Sequence, residues 1–323
     1  MEIVNGLHQL KVQVPNNPVG FTLPYVFEVP GGATIIDPGW DADVVLDELT
    51  SQLGVIGISL RDIKQVIVTH VHPDHYGLAA RVKEASDCEV LVHAKDIEFM
   101  RWRATELPRT DIDAWFGRNG MPANPNGQAN VGGRMGRWMT GMDPDRTIED
   151  GEKLQVGDFE LQVMWTPGHS PGHACFYEEN LELLLTGDHV LPTISPNVGL
   201  WPGSESDPLG DYMRSLQRLR GLAVKRVLPA HEYDFEDLEA RLDGLEQHHE
   251  ARLQEVIDAM SDGAETAYEI ARGIKWSIGH LDGFDYMTQR AAMTETMAHL
   301  EHLVREGQIA LREEDGRAFY YLS

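Results

Sequence analysis

The sequence has few cysteines, no long apolar run and few basic residues for its length. Its 323 residues include two cysteines, Cys88 and Cys175, which are too few for a disulfide scaffold and fit a reducing compartment. No apolar run reaches the roughly 20 residues that span a bilayer. The first ten residues lack a basic stretch followed by an apolar one, so no secretory signal is expected. We therefore expect a soluble, cytoplasmic protein with no membrane partner.

Basic residues are scarce relative to acidic ones. The chain has 27 lysines and arginines against 52 aspartates and glutamates, a net charge of −25. Nucleic acids are bound by cationic surfaces that release counterions from the phosphates, so nucleic acid is not an expected partner. Residues 101–142 differ, since their six arginines (101, 103, 109, 118, 134 and 137) and three acids give +3. This basic island could attract a small anionic substrate, or its arginines could pair with acidic neighbours on the body.

Residues 1–235 alternate strand-like and helix-like stretches, which predicts an α/β architecture. Two apolar runs, Tyr25–Val29 and Ala33–Ile36, flank a Pro-Gly-Gly turn and predict a hairpin. Gln65–Thr69 is a β-branched strand, and a helix is expected over residues 76–86. These patterns indicate a sheet-based catalytic domain.

Two other segments have a different character. Residues 101–149 contain Trp102, Trp115 and Trp138 and a middle rich in Gly, Asn and Pro, which predicts an insertion or a lid. Its aromatics could instead pack the segment onto the body. Residues 236–323 predict helices closed by a terminal hairpin, typical of a small winged-helix-like domain.

Four potential metal ligands follow the predicted strand directly, in Thr69-His70-Val71-His72-Pro73-Asp74-His75. Alternate residues of an extended chain point the same way, so His70 and His72 can bind one metal. Asp74 and His75 lie at the turn into the next helix and can bind a second. Imidazole and carboxylate ligands suit Zn²⁺ or a similar divalent ion. Solvated histidines seldom cluster in this way, so the segment predicts a metal site.

Later segments place similar residues at strand ends. A Gly/Pro-rich turn after one strand holds His169 and His173, while Asp188 and His231 each follow an apolar strand. Ligands in open α/β sheets bind beyond the carboxyl ends of the strands. We therefore expect these side chains to meet at one edge of the fold.

The order of these residues resembles the signature of the metallo-β-lactamase superfamily, His-x-His-x-Asp-His followed by a distant His, Asp and His. The resemblance covers roughly residues 1–235 and implies an αββα sandwich with a two-metal site. It implies that one metal is held by His70, His72 and His169. It implies that the other is held by Asp74, His75 and His231, and that Asp188 bridges the two.

The resemblance extends to residues beside the ligands and to the branch of the family. Asp37 resembles the aspartate that orients a ligand histidine, and His173 is expected to lie behind the ligands. Asp188 stands where true β-lactamases use cysteine, which is similar to glyoxalase-II-like hydrolases. His72 stands where flavodiiron proteins commonly carry glutamate. Gly77-Leu78 departs from the Gly-Gly that often follows the motif.

These features imply a hydrolase with two Zn²⁺, or with Fe or Mn in their place. A hydroxide shared by the metals would attack a small acyl thioester, ester or lactone, with Asp74 orienting it and moving its proton. Two alternatives remain. One is an endoribonuclease or phosphodiesterase of the same fold; the other is a mono-iron sulfur dioxygenase that uses only the first three histidines.

The remaining histidines and the C-terminal domain have simpler expectations. Residues 251–323 carry a net charge of −6, whereas a winged helix that grips DNA should be basic. This domain is expected to pack on the body, form a homodimer contact or shape the substrate cleft. His93 is expected to pack or to cap a helix. Four further histidines are expected to be solvated on helix faces: His248, His249, His299 and His302.

Overall fold

The computed structural model describes residues 1–15, 17–106, 111–124, 143–202 and 207–323. Its strands, in chain order, are β1 (Glu2–Val4), β2 (Leu7–Gln9), β3 (Val12–Gln13), β4 (Phe21–Thr22), β5 (Tyr25–Val29), β6 (Gly32–Ile36), β7 (Ile63–Ile67), β8 (Glu89–His93), β9 (Arg146–Ile148), β10 (Lys153–Val156), β11 (Phe159–Trp165), β12 (Ala174–Glu178), β13 (Leu183–Gly187), β14 (Arg226–Pro229), β15 (Ile309–Glu314) and β16 (Arg317–Leu322). Its helices are α1 (Asp43–Val55), α2 (Pro73–Tyr76), α3 (Ala79–Ser86), α4 (Ala94–Thr105), α5 (Ile112–Arg118), α6 (Pro208–Leu219), α7 (Leu238–Ser261), α8 (Ala267–Gly273) and α9 (Tyr286–Arg305).

Two large sheets carry the fold. The first has the strand order β1-β2-β5-β6-β7-β8-β9, and the second has the order β10-β11-β12-β13-β14. The predicted hairpin is confirmed as the antiparallel pair β5–β6. From β6 to β9 the neighbouring strands are parallel, as are β13 and β14. Parallel strands are normally buried on both faces, which fits the apolar runs of β6, β8 and β13.

The sheets pack face to face, and each has helices on its outer side. In β7, Ile67 joins a buried cluster with Phe176 of the second sheet. Its neighbour Val66 points to the opposite face and packs with Leu49 of α1. Helices α6 and α7 cover the second sheet through a separate apolar cluster. The expected αββα sandwich is confirmed.

The C-terminal region is helical and ends in the hairpin β15–β16, as predicted. Thr266 begins α8 with a capping box in which Glu269 is the reciprocal partner. Phe116 of α5 is buried in the apolar core of this region. Part of the predicted insertion therefore packs on the C-terminal helices. Residues 107–110 and 125–142, which include Trp138, Arg109, Arg134 and Arg137, lie outside the described residues, so the lid and the boundary at residue 235 remain predictions.

The helix predicted over residues 76–86 is divided into α2 and α3 at Gly77. A Cβ on Gly77 would lie 2.3 Å from the Pro73 carbonyl oxygen and 2.6 Å from the Asp41 nitrogen, so glycine is required at this close approach. Leu78 is fully buried in the outer apolar cluster. The residue that replaces the second glycine of the usual Gly-Gly pair, Leu78, thus packs into the core.

Two of the histidines expected to be solvated are buried. His249 of α7 and His299 of α9 are both fully buried, and their rings meet at 3.1 Å between Nδ1 and Nε2. The expectation was wrong because α7 and α9 pack against each other and against α6. Within the described ranges, no helix combines the length and apolarity needed to cross a membrane.

Candidate metal centre

The predicted ligands arrive from the ends of strands in both sheets. His70, His72, Asp74 and His75 follow β7 of the first sheet, while Asp188 and His231 follow β13 and β14 of the second. His169 lies in the turn between β11 and β12. Because the sheets face each other, these strand ends meet at one edge of the sandwich, and the structure brings all seven predicted ligands together there.

The first group is formed by three histidine rings. His70 Nε2 lies 2.9 Å from His72 Nδ1 and 3.2 Å from His169 Nε2. These three nitrogens all lie within 4.8 Å of one another. Such a cluster can present three nitrogen ligands to one divalent ion.

The second group is formed by Asp74, His75 and His231, whose nearest ligand atoms also lie within 4.8 Å of one another. Asp74 Oδ1 lies 3.7 Å from His75 Nε2, and its Oδ2 lies 3.6 Å from His231 Nε2. This cluster offers two nitrogens and a carboxylate.

Asp188 stands between the two groups. Its Oδ2 lies 3.4 Å from His169 Nε2 in the first group. Its Oδ1 lies 3.4 Å from His75 Nε2 and 3.1 Å from His231 Nε2 in the second group. One carboxylate oxygen therefore faces each set of ligands, which is the arrangement that a bridging ligand needs.

The outward-facing ring nitrogens are anchored by hydrogen bonds. His169 Nδ1 donates to the Asn197 carbonyl at 2.8 Å, and His231 Nδ1 donates to the Phe21 carbonyl at 2.7 Å. His75 Nδ1 donates to Asp37 Oδ2 at 2.8 Å. Such partners fix the tautomer of each ring, so that the other nitrogen presents a lone pair to the centre.

Asp37 supports two of the predicted ligands. It is buried with a left-handed backbone (φ 53°), and its carboxylate accepts from the Thr69 amide at 2.8 Å and the Thr69 hydroxyl at 2.7 Å. The same hydroxyl accepts from His70 Nδ1 at 3.0 Å. Asp37 therefore orients His75 directly and His70 through Thr69.

His173 lies beside Asp188, with its ring centroid 5.2 Å from that of His70. Its Nε2 accepts from the Asp188 amide at 3.2 Å, and its Nδ1 therefore donates to the Thr166 hydroxyl at 2.9 Å. Burial holds the pKa of His173 well below its usual value, so the ring is neutral. This histidine positions the backbone of Asp188.

The chemistry of the donors fits divalent metal ions. Two buried atoms that face the centre, His75 Nε2 and Asp188 Oδ1, have no hydrogen-bond partner among the described residues. Burial holds the pKa values of His70 and His72 well below the usual value, so their rings are neutral and can act as ligands. The donors are nitrogen and oxygen throughout, which suits Zn²⁺, Fe or Mn.

The second group has negative potential that a cation would neutralise. Burial alone would raise the pKa of Asp188, but the imidazoles of His231 and His75 hold it well below its usual value. Burial would lower the pKa of His75 and of His231, yet neighbouring carboxylates, with Asp188 the strongest, raise both. Protons and a metal ion therefore compete for these rings.

One important residue has no motif in the sequence. Asp96, in the first turn of α4, is fully buried and accepts from the Val71 amide at 2.9 Å and the Gly172 amide at 2.6 Å. It also accepts from the Ser170 hydroxyl at 3.1 Å. Burial raises the pKa of Asp96 to about 6. This carboxylate joins the loop of His70 and His72 to the loop of His169.

The surroundings confirm the expectation for His93 and give the contacts of two arginines in the basic island. His93 does cap α4, accepting from the Lys95 amide at 3.3 Å, and it stacks on Trp165. In the basic island, Arg118 forms an ion pair with Glu313 of β15, in the C-terminal hairpin. Arg103 is buried between Phe99 and Trp201.

The sequence is similar to that of known metallo-hydrolase and lactamase-like proteins. Residues 17–231 match the family model described as metallo-beta-lactamase superfamily. A probable metallo-hydrolase of Bacillus subtilis (strain 168) is 26% identical over 310 residues, or 91% of this chain and 92% of that protein. A lactamase-like protein of Penicillium aethiopicum is 36% identical over 116 residues, or 36% of this chain and 35% of that protein.

Two solved structures share the fold across nearly the whole chain. A metallo-beta-lactamase family protein from Thermus thermophilus has a TM-score of 0.82 and 29% identity, covering 99% of this chain and 100% of that one. A beta-lactamase domain protein from Burkholderia ambifaria has a TM-score of 0.81 and 25% identity, covering 99% and 94%. With the family match over residues 17–231 and the αββα sandwich, these findings show that the chain belongs to the metallo-β-lactamase superfamily of metal-dependent hydrolases.

Proposed function

We propose that this protein is a dinuclear zinc hydrolase of the glyoxalase-II-like branch, acting on a small acyl thioester, ester or lactone. The observation that carries the proposal is the position of Asp188, whose two carboxylate oxygens face two separate groups of ligands. A single ion would need only one of these groups. The chain provides both, with a shared carboxylate between them.

The distances between side chains support two ligand sets. His70, His72 and His169 would hold one ion, and Asp74, His75 and His231 would hold the other. Bound divalent ions supply Lewis acidity and lower the pKa of water toward about 7. A hydrolase with such a centre needs no serine or cysteine nucleophile.

The protein's own groups supply position and proton transfer. The Asp74 carboxylate lies at the second group and keeps 13% of its side chain exposed, so it can take a proton from attacking water and pass it to the leaving group. The anchors of His75, His169 and His231 keep the rings in place during this exchange. The winged-helix-like domain is proposed to support the body rather than to bind nucleic acid, since residues 251–323 carry a net charge of −6.

The alternatives are less well supported. A mono-iron dioxygenase would use His70, His72 and His169 alone, which leaves the convergence of Asp74, His75 and His231 without a purpose. A phosphodiesterase acting on RNA would work against a net charge of −25. We therefore propose a small-molecule substrate, whether anionic or neutral, and a cytoplasmic setting in which the buried, unpaired Cys88 and Cys175 stay reduced.

The test combines metal analysis with a substrate panel. Wild-type protein loaded with Zn²⁺ should hold about two ions per chain and hydrolyse acyl thioesters, esters or lactones. Asp188→Ala should lose at least one ion and reduce kcat by about 100-fold or more. Asp282→Ala is the matched control, because Asp282 is exposed and pairs with Arg272 alone among the described residues.

Three results would overturn the proposal. One iron per chain with oxygen uptake in the presence of a persulfide would identify a dioxygenase. Cleavage of RNA without turnover of any acyl substrate would identify a phosphodiesterase. Full activity in Asp188→Ala would show that the two groups of ligands do not act together.

A further inference from the structure

A cavity with an aromatic wall adjoins the candidate metal centre. Its volume is about 570 Å³, and His72 and His169 form part of its lining. Small-molecule sites typically measure roughly 300–1,000 Å³. The cavity is therefore large enough for a small organic substrate, and two predicted ligands lie at one side of it. Four large aromatic side chains form much of the remaining wall: Phe99, Trp102, Trp165 and Trp201.

The tryptophans of this wall do not serve the core. Trp102, Trp165 and Trp201 belong to none of the four apolar clusters among the described residues, and each is half-buried. By contrast, Trp115 and Trp276 pack against the C-terminal core. Burial of an indole ring stabilises a protein, so three indoles left part-exposed around one cavity indicate a ligand that covers them.

The ring faces are held in place by their neighbours. Trp165 stacks on His93 with ring centroids 5.6 Å apart and 8° between the planes, and its Nε1 donates to the Pro171 carbonyl at 2.8 Å. Phe99 and Trp102 are also stacked, 6.1 Å apart and 11° between planes. A wall that is already ordered loses little side-chain entropy when a ligand binds.

The charged residues that line the cavity have partners of their own. Lys95 pairs with Glu98 at 2.9 Å, and Asp211 pairs with Arg214 at 2.5 Å. Paired charges at the edge of a cavity attract an ion less strongly than free ones. Selectivity in this cavity therefore comes from the aromatic faces, which favour flat π-systems in offset or edge-to-face packing.

We propose that this cavity binds a planar aromatic group of the substrate, stacked against Trp102 and Trp201, with the scissile bond directed toward His72 and His169. Hydrolysis of that bond rests on the function proposed above, but binding of the aromatic group does not. The inference narrows the substrate class to aromatic acyl compounds, or to esters and lactones fused to an aromatic ring.

Binding can be tested with neutral ligands that are not hydrolysed. Isothermal titration calorimetry on the Zn²⁺-loaded, 323-residue protein would compare 2-naphthamide with its saturated decahydro counterpart, which has the same carbon skeleton without the π-system. We expect the aromatic amide to bind about tenfold more tightly. Trp102→Leu and Trp201→Leu should each weaken its binding by about five- to tenfold, and Trp102→Phe should restore most of the affinity.

Trp276→Leu is the matched control, because Trp276 is half-buried and lines a different cavity. Equal affinity for the aromatic and saturated amides would overturn the proposal, as would the absence of binding at about 1 mM ligand. A loss of affinity in Trp276→Leu as large as in Trp102→Leu would also overturn it. Aromatic binding without turnover of any acyl substrate would instead refute the hydrolase function and leave this inference standing.

Discussion

Replacing Asp96 with asparagine isolates the carboxylate that joins the two histidine loops. The side chain would keep its size but lose one acceptor oxygen and gain an NH₂ group. In the wild type, Oδ2 accepts from the Val71 amide and the Ser170 hydroxyl, while Oδ1 accepts from the Gly172 amide. In either rotamer of the asparagine, one backbone amide would face another donor. No water can easily replace the lost acceptor, because Asp96 is fully buried.

The size of the effect follows from these contacts. A buried backbone amide left without an acceptor costs about 1–3 kcal/mol, and the remaining bonds lose their charge assistance, adding about 1 kcal/mol. Removal of a buried charge offsets part of this loss, since burial raises the pKa of Asp96 to about 6. We expect the free energy of unfolding to fall by about 2 kcal/mol. Metal affinity should fall by about 10- to 100-fold, because both histidine loops lose a shared anchor.

Urea unfolding of the metal-free protein would measure the stability, and a competition titration with a chromogenic chelator would measure the affinity for Zn²⁺. Asp285→Asn is the matched control. Asp285 caps α9 by accepting from the Thr288 amide at 2.8 Å, and asparagine caps equally well. A change in Asp96→Asn no larger than in this control, for both stability and metal affinity, would refute the reasoning.

Three further predictions concern other parts of the structure. Gly77→Ala should lower the free energy of unfolding by about 3 kcal/mol or more, measured in urea, since its Cβ would lie 2.3 Å from a carbonyl oxygen. The control is Gly54→Ala, which has open space within α1 and should raise the free energy of unfolding by about 0.5–1 kcal/mol. Equal effects of the two substitutions would contradict the prediction. His302 donates to Asp207 at 2.9 Å, and this hydrogen bond raises the pKa of His302. Burial alone would raise the pKa of Asp207, but the hydrogen bond from His302 helps to hold it below its usual value. The ion pair should stabilise the fold by about 1 kcal/mol after solvent screening, at pH values between the lowered pKa of Asp207 and the raised pKa of His302. This stabilisation should be lost as the pH rises through the pKa of His302 or falls through the pKa of Asp207. His302→Gln should flatten this part of the curve of unfolding free energy against pH, and an unchanged curve would refute the prediction. Removal of metal by a chelator should lower the free energy of unfolding by about 2.7 kcal/mol relative to protein with free Zn²⁺ at 100 times Kd, and a melting temperature independent of Zn²⁺ would contradict the metal site.

The clustering of the predicted ligands could be anticipated from the sequence because their segments follow strands. His70 and Asp188, for example, come within three residues of the ends of β7 and β13, and strand ends at one edge of a sandwich have little freedom to diverge. The sandwich itself was implied by the order of the motif residues and is confirmed.

Other features depend on tertiary contacts that no local pattern encodes. Asp96 lies in the first turn of α4, where an acidic residue is ordinary, and its role appears only when Val71 and Gly172 are brought to it from distant parts of the chain. His249 has polar neighbours in the sequence and His299 has apolar ones, yet helix packing buries both rings. The aromatic wall likewise gathers Trp102 and Trp201 from segments that are 99 positions apart.

The predicted metal ligands follow strands of both sheets, and this has a consequence for how the protein unfolds. His70, His72, Asp74 and His75 belong to the first sheet, whereas His169, Asp188 and His231 belong to the second. An ion bound by both sets would act as a removable cross-link that closes a long loop between the two halves of the sandwich. On heating, the two sheets of the metal-free protein should therefore separate at a lower temperature than those of the Zn²⁺-loaded protein.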